Sequence, residues 1–201
     1  IPYDCHRVTC CVAVPPVPGM GYTTISVRPV EQPYDLRVDE TPGVLENEFM
    51  HVSIAHGGTI DMLHKPSGQH FRGQNIIEDC GDSGNEYIYR APASDRVVTT
   101  NSSHDWQVTE CGDSDLGAWA VIENDLMVPA TSTSETRSET TAPVRLRTHL
   151  FLGRGAKHLE VSVEIDNEAS DHRLRALFPT DISTDYCYAD GQFDIVRRAI
   201  T

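Results

Sequence analysis

The stretch EDCGDSGNEYIYRAP (Glu78 to Pro92) sets four carboxylates within nine residues, with Ser83, Asn85 and two glycines among them. Oxygen donors at that density suggest a calcium loop, which needs ligands at alternating positions, a central Gly and a closing Glu. Counted from Asp79 or from Asp82, the closing Glu is missing, because the acids run into YIYRAP. As an isolated pair, Asp82 and Glu86 suit acid–base chemistry. They equally suit a solvated loop entering a strand, the reading that composition favours. Ser83 lies in DSGN rather than in a GxSxG elbow, and no base can be nominated for it.

A second dense stretch is YADGQFDIVRR (Tyr188 to Arg198). Asp190-Gly191 suits a tight turn with Gln192 and Asp194 near its tip and Tyr188 and Phe193 close by. Sugar sites are built from such parts, an aromatic face against C–H bonds and carboxylates or amides on hydroxyls. The same residues also suit a plain hairpin with an Arg–Asp pair, which composition alone favours. The nine histidines include no HxH, no HExxH and no Cys/His pair at ligand spacing, so no metal site is expected in this chain. No glycine-rich loop follows a strand and opens a helix, which removes a nucleotide site. No catalytic set is complete.

The formal charge of −14, with 16 basic residues scattered along the chain, argues against nucleic acid or an anionic membrane as partner. No apolar run approaches the length of a membrane span. Six cysteines at irregular spacing, with Cys10 beside Cys11 and no CxxC pair, point to free thiols in a reducing cytosol rather than a disulfide framework.

The elements that must position these stretches are strands. Period-2 alternation dominates and no segment has a helical stripe. In HLEVSVEID, Leu159, Val161, Val163 and Ile165 oppose Glu160, Ser162 and Glu164; in VRLRTHLFL, Val144, Leu146, Leu150 and Leu152 oppose Arg145, Arg147 and His149. RLRALFP and VTCCVAVPP are further strands, and AWAVIENDLMV is long enough to bend or change role partway. His56-Gly57-Gly58 and Lys65-Pro66-Ser67-Gly68 supply turns between short alternating runs. Many short strands with closely spaced turns predict an all-β, antiparallel β-sandwich. Residues 1–29 are expected to form a short N-terminal β-segment, the proline-rich 30–43 a linker, and 44–201 the sandwich. ATSTSETRSETTAP (Ala130 to Pro143) is expected to be a loop too polar to pack.

Several segments taken together resemble the family 38 glycoside hydrolases, the α-mannosidases. VLENEFMHVSIAHGGTIDMLHKPSGQHFRGQNIIEDCGDSGNEYIYRAP resembles the start of that family's C-terminal β-domain. VEIDNEASDHRLRALFPTDISTDYCYADGQFDIVRR resembles a second family stretch, and VPPVPGMGYTTISV the strand that joins the helical segment to this domain. The turn HKPSG and the segment CGDSDLGAWAVIENDL depart from the family pattern.

The resemblance implies the β-domain of a bacterial, cytoplasmic, zinc-dependent, retaining exo-α-mannosidase whose catalytic residues lie in an upstream barrel. It implies a supersandwich similar to galactose mutarotase, incomplete at Thr201, with an exposed edge or apolar patch able to drive homo-oligomerisation. No catalytic residue, metal ligand or cofactor is then expected in this chain; zinc and the α-mannoside belong to the longer parent. The turn Asp190-Gly191-Gln192, with Tyr188 and Arg197 beside it, is expected to form a rim of the substrate pocket. Two rivals remain: a non-catalytic carbohydrate-binding sandwich using Tyr188, Phe193 and Trp119, and a mutarotase-like enzyme pairing His149 or His172 with Glu164.

Overall fold

The computed structural model describes residues 12–14, 17, 19–28 and 43–200. Val44–Glu46 (β1), Met50–Ile54 (β2), Ile60–His64 (β3) and Gln69–Gln74 (β4) form an antiparallel sheet in chain order. Two of its three turns are the expected ones, and Asn47 closes the third, between β1 and β2. His56–Gly58 makes a single 3-10 turn with Gly57 at φ 70°, and the Gly68 N–H donates to the His64 carbonyl. Asn75, in the left-handed region at φ 59°, separates β4 from Ile76–Gly81 (β5).

Val98–Thr99 (β6) follows, then Trp106–Asp113 (β7), Gly117–Pro129 (β8), Thr141–Gly153 (β9), Glu160–Asn167 (β10) and His172–Leu177 (β11). The chain ends in a hairpin of Tyr186–Asp190 (β12) and Ile195–Ala199 (β13). Strands β10-β9-β8-β7 make the large sheet, and β11-β5-β6 make a smaller one. The result is an antiparallel β-sandwich.

In the large sheet, strands β8 and β9 present their even-numbered residues inward, because they pair throughout from Gly117↔Gly153 to Pro129↔Thr141 and side chains alternate at period 2, while β10 turns Val161 and Val163 to the same side. Its first half, Ala118, Ala120, Ile122, Leu150 and Leu152, packs on Leu45, Met50, Val52 and Ile60 of the β1–β4 sheet. Its second half, Leu126, Val128, Val144 and Leu146, packs on Ile77, Val98 and Leu174 of the smaller sheet. Strand β8 does change role partway, at Asn124. That buried residue lies between the two apolar clusters, and its Nδ2 donates to the Gly57 carbonyl at 2.9 Å.

Two expectations need correction. The described residues of 1–29 form no strand: 12–14, 17 and 19–28 are exposed, with a turn at Gly19 and Met20. Alternation supplies a face, but a strand also needs a ladder partner, and none of the described residues pairs with this segment. The rest of 1–29, and the linker apart from Gly43, lie outside the described residues, as do Cys5, Cys10 and Cys11. Of the others, Cys80, Cys111 and Cys187 are free thiols. The second correction concerns Ala130 to Pro143. Its last three residues belong to β9, and Arg137 and Ser132 within it are buried.

Candidate functional site

The residues expected to form a pocket rim lie together on the β12–β13 hairpin. Tyr188 pairs with Arg197 and Asp190 with Ile195. The Gly191 N–H donates to the Asp194 carbonyl at 2.8 Å, closing the turn that carries Gln192 and Phe193. One face of the hairpin therefore carries Tyr186, Tyr188, Asp190, Ile195 and Arg197. The Arg197 guanidinium sits 4.1 Å over the Tyr186 ring, and Tyr186 and Tyr188 meet edge to face at 5.7 Å. Phe193 is 99% exposed and Tyr188 65%. The hairpin adds nothing to either core cluster.

Trp119, the third aromatic of the carbohydrate-binding reading, is elsewhere. It lies on the outer face of the large sheet, packed over Gly112. His149 and Glu164 do meet there, at 3.3 Å, on a half-exposed face. Around them Arg147 contacts Glu110 and Glu123, and Arg145 contacts Asp166 and Glu168. A shallow groove of about 520 Å³ runs over this face, lined largely by charges that are already paired. His172 lies away from Glu164, in the smaller sheet.

There the acidic stretch and the segment HRLRAL (His172 to Leu177) prove to be halves of one construction. Strand β11 pairs with β5, from His172↔Gly81 to Leu177↔Ile76. Asp79, wholly buried, takes His172 Nδ1 on one carboxylate oxygen and Arg137 on the other at 2.6 Å. Arg137 is itself buried, donates to the Arg96 carbonyl at 2.9 Å and lies 3.9 Å from Asp95. Next along the pairing, Arg173 stacks on Tyr89 at 3.5 Å, and Arg175 bonds Glu78. Burial, and then the bond from its hydroxyl to the Cys80 sulfur, push the Tyr89 phenol up. The bond to Glu78 raises Arg175.

Asp82 shapes the loop. Its Oδ1 accepts the N–H groups of Gly84 at 2.9 Å and Arg90 at 3.0 Å. Those bonds, the Arg90 N–H first, hold its carboxyl below the usual Asp range. Asn85 Oδ1 accepts the N–H groups of Tyr87 and Ile88 in the same way. Asp79 is closed off from solvent between Arg137 and His172, so it braces the strands rather than meeting a substrate. Among the described residues no three His, Cys, Asp or Glu side chains gather as a metal set.

Sequence reasoning missed Arg137. Composition placed it in a polar loop, whereas the loop folds through a Ser132↔Arg137 bridge and a parallel Ser94↔Thr136 bridge, and sends its one basic side chain to Asp79. The available signal was that lone Arg in a run of Ser, Thr and Glu, in a chain whose acidic stretch holds four carboxylates and a single Arg.

Residues 45–201 match the glycosyl hydrolases family 38 C-terminal domain. The chain is 36% identical over 203 residues to a Halalkalibacterium halodurans protein named mannosylglycerate hydrolase, an alignment covering 90% of this chain and 22% of that protein. The crystal structure of an α-mannosidase from Enterococcus faecalis superposes with a TM-score of 0.73 at 28% identity, covering 84% of this chain and 21% of the other. A family 38 glycosyl hydrolase structure from the same organism gives the same score and identity, with 22% of that chain covered. The chain spans about a fifth of the length of these relatives.

Proposed function

The chain belongs to the family 38 glycoside hydrolases, as part of their C-terminal domain, and on that premise we propose that it is the β-domain of a zinc-dependent, retaining exo-α-mannosidase. Its part is to buttress an upstream catalytic barrel and to lend the substrate pocket one rim, the turn Asp190-Gly191-Gln192 with Tyr188 and Arg197 beside it. The observation that carries this reading is the hairpin itself. It displays Tyr188, Phe193 and Ile195 outside both cores, beside an Asp, an amide and an Arg, a mixture that suits contact with a sugar and with a neighbouring domain.

The described residues do not fit the zinc ion, since they bring no three candidate ligands together, so the metal is assigned to the barrel. On the same reading the parent works in a bacterial cytoplasm. The name of the Halalkalibacterium halodurans relative makes mannosylglycerate a substrate to assay beside larger α-mannosides.

The reading predicts that this chain alone leaves an aryl α-mannoside intact with or without added zinc. Measurable zinc-dependent turnover would sink it. The rival carbohydrate-binding reading predicts millimolar or tighter affinity for mannose or manno-oligosaccharides by calorimetric titration, where the buttress reading predicts no heat of binding.

A further inference from the structure

The segment 82–91 leaves β5 at Gly81 and returns at Pro92, and Gly81 lies against Pro92 and against side chains of a distant loop. A Cβ added at Gly81 would lie 2.8 Å from Ser132 Oγ, 2.9 Å from Pro92 Cγ and 3.1 Å from Arg137 Cδ. Ser132, Pro92 and the aliphatic stem of Arg137 therefore crowd the base of the loop, and a side chain at position 81 would force them to shift. Its guanidinium holds Asp79 and lies near Asp95, and the Asp95 carboxylate accepts the Gly81 N–H at 3.1 and 3.2 Å. A second route runs through Asp79 to His172. The preceding residue, Asp171, accepts the Asp82 N–H on its carbonyl at 2.9 Å and the Thr131 hydroxyl on its carboxylate at 2.7 Å. These anchors of the loop trace to Arg137, to a group it touches, or to the loop that carries it.

Above that base the backbone is fixed by Asp82 and Asn85, while Tyr87 is 86% exposed and Ile88 66%. A rigid backbone that displays large apolar side chains has already given up the entropy that contact would otherwise cost. We propose that Arg137 is the positioning residue of this loop, holding Tyr87 and Ile88 in one orientation for contact with the rest of the hydrolase. What the loop faces rests on the family reading above; the bracing does not.

The test is amide hydrogen exchange on this chain, following Ser83, Gly84, Tyr87, Ile88 and Arg90, with Val52 and Met62 of the remote β2–β3 hairpin as controls. Arg137→Met keeps most of the stem and removes the charge. It should speed exchange in the loop by about tenfold or more and leave the controls unchanged. Arg137→Lys restores a point charge without the two-pronged donor, so it should recover part of the protection. Should Arg137→Met also release the controls, Arg137→Lys decides alone, with the loop faster and the controls steady. Loop exchange that stays at the unaltered rate, or that rises in step with the controls in both variants, overturns the proposal. In the longer enzyme, Arg137→Lys should lower kcat/KM for an α-mannoside. An unaltered longer enzyme with no such activity would instead overturn the family-based reading, leaving the exchange result to judge the brace.

Discussion

Removing Asp79 tests whether burial, rather than charge, decides what an ion pair contributes here. The Asp79 and Arg137 side chains are 0% and 1% exposed, and His172 is 6% exposed. Asp79→Ala would leave a guanidinium in the interior without its carboxylate. Taking away one partner of a buried pair costs about 3–5 kcal/mol, because the remaining charge keeps its desolvation penalty and loses its compensation. For a chain of 201 residues, that should lower the melting temperature by about 6–20 °C. The comparison is Glu110→Ala, which breaks the Arg147–Glu110 pair, 41% and 56% exposed, on the outer face of the large sheet. Both charges there stay in water, so the loss should be no more than about 1 kcal/mol. Thermal melts followed by circular dichroism, with urea titrations to give free energies, measure both. The double variant Asp79→Leu/Arg137→Met should recover much of the loss, since an apolar pair of similar size replaces a buried ion pair at little net cost. If Asp79→Ala and Glu110→Ala fall within about 1 kcal/mol of each other, the argument from desolvation is refuted.

Three further outcomes are expected. Gly57→Ala should be strongly destabilising, by about 2 kcal/mol or more in urea titrations: Gly57 sits at φ 70°, and a Cβ there would press on the Thr100 carbonyl oxygen. Asp82 carries a depressed carboxyl pKa, so its contribution to the loop is present above the ordinary Asp range and is lost as pH falls through the lower folded value. The Gly84 and Arg90 amide resonances should therefore titrate together below the ordinary Asp range, and Asp82→Asn should abolish that titration. Phe193→Ser should change stability by less than about 0.5 kcal/mol, because the side chain is 99% exposed; a larger loss would mean that the hairpin tip packs within this chain.

The strands were legible because their signal is local. Val144, Leu146, Leu150 and Leu152 alternate with Arg145, Arg147 and His149, and that pattern alone sets which face of β9 is buried. The turns at Gly57 and Gly68 were legible for the same reason, since positive φ favours glycine in place. The hairpin carrying Asp190, Gly191 and Gln192 is also local, so the spacing of its residues along the chain is enough to group them. The brace around Asp79 was not legible, because it depends on which strand lies beside β5, a pairing that neither partner's sequence specifies. Once β11 lies there, four similar carboxylates in one stretch take different physical situations. Asp79 is sealed between Arg137 and His172, Glu78 pairs with Arg175 at the sheet surface, Asp82 caps backbone N–H groups, and Glu86 is exposed. Composition counts four equal negative charges and infers a solvated loop, yet the energetics turn on the one that water does not reach. A charge of that kind is tolerated only when a cation is delivered to it, so the Ser/Thr-rich segment that looked too polar to pack has to dock in order to bring Arg137.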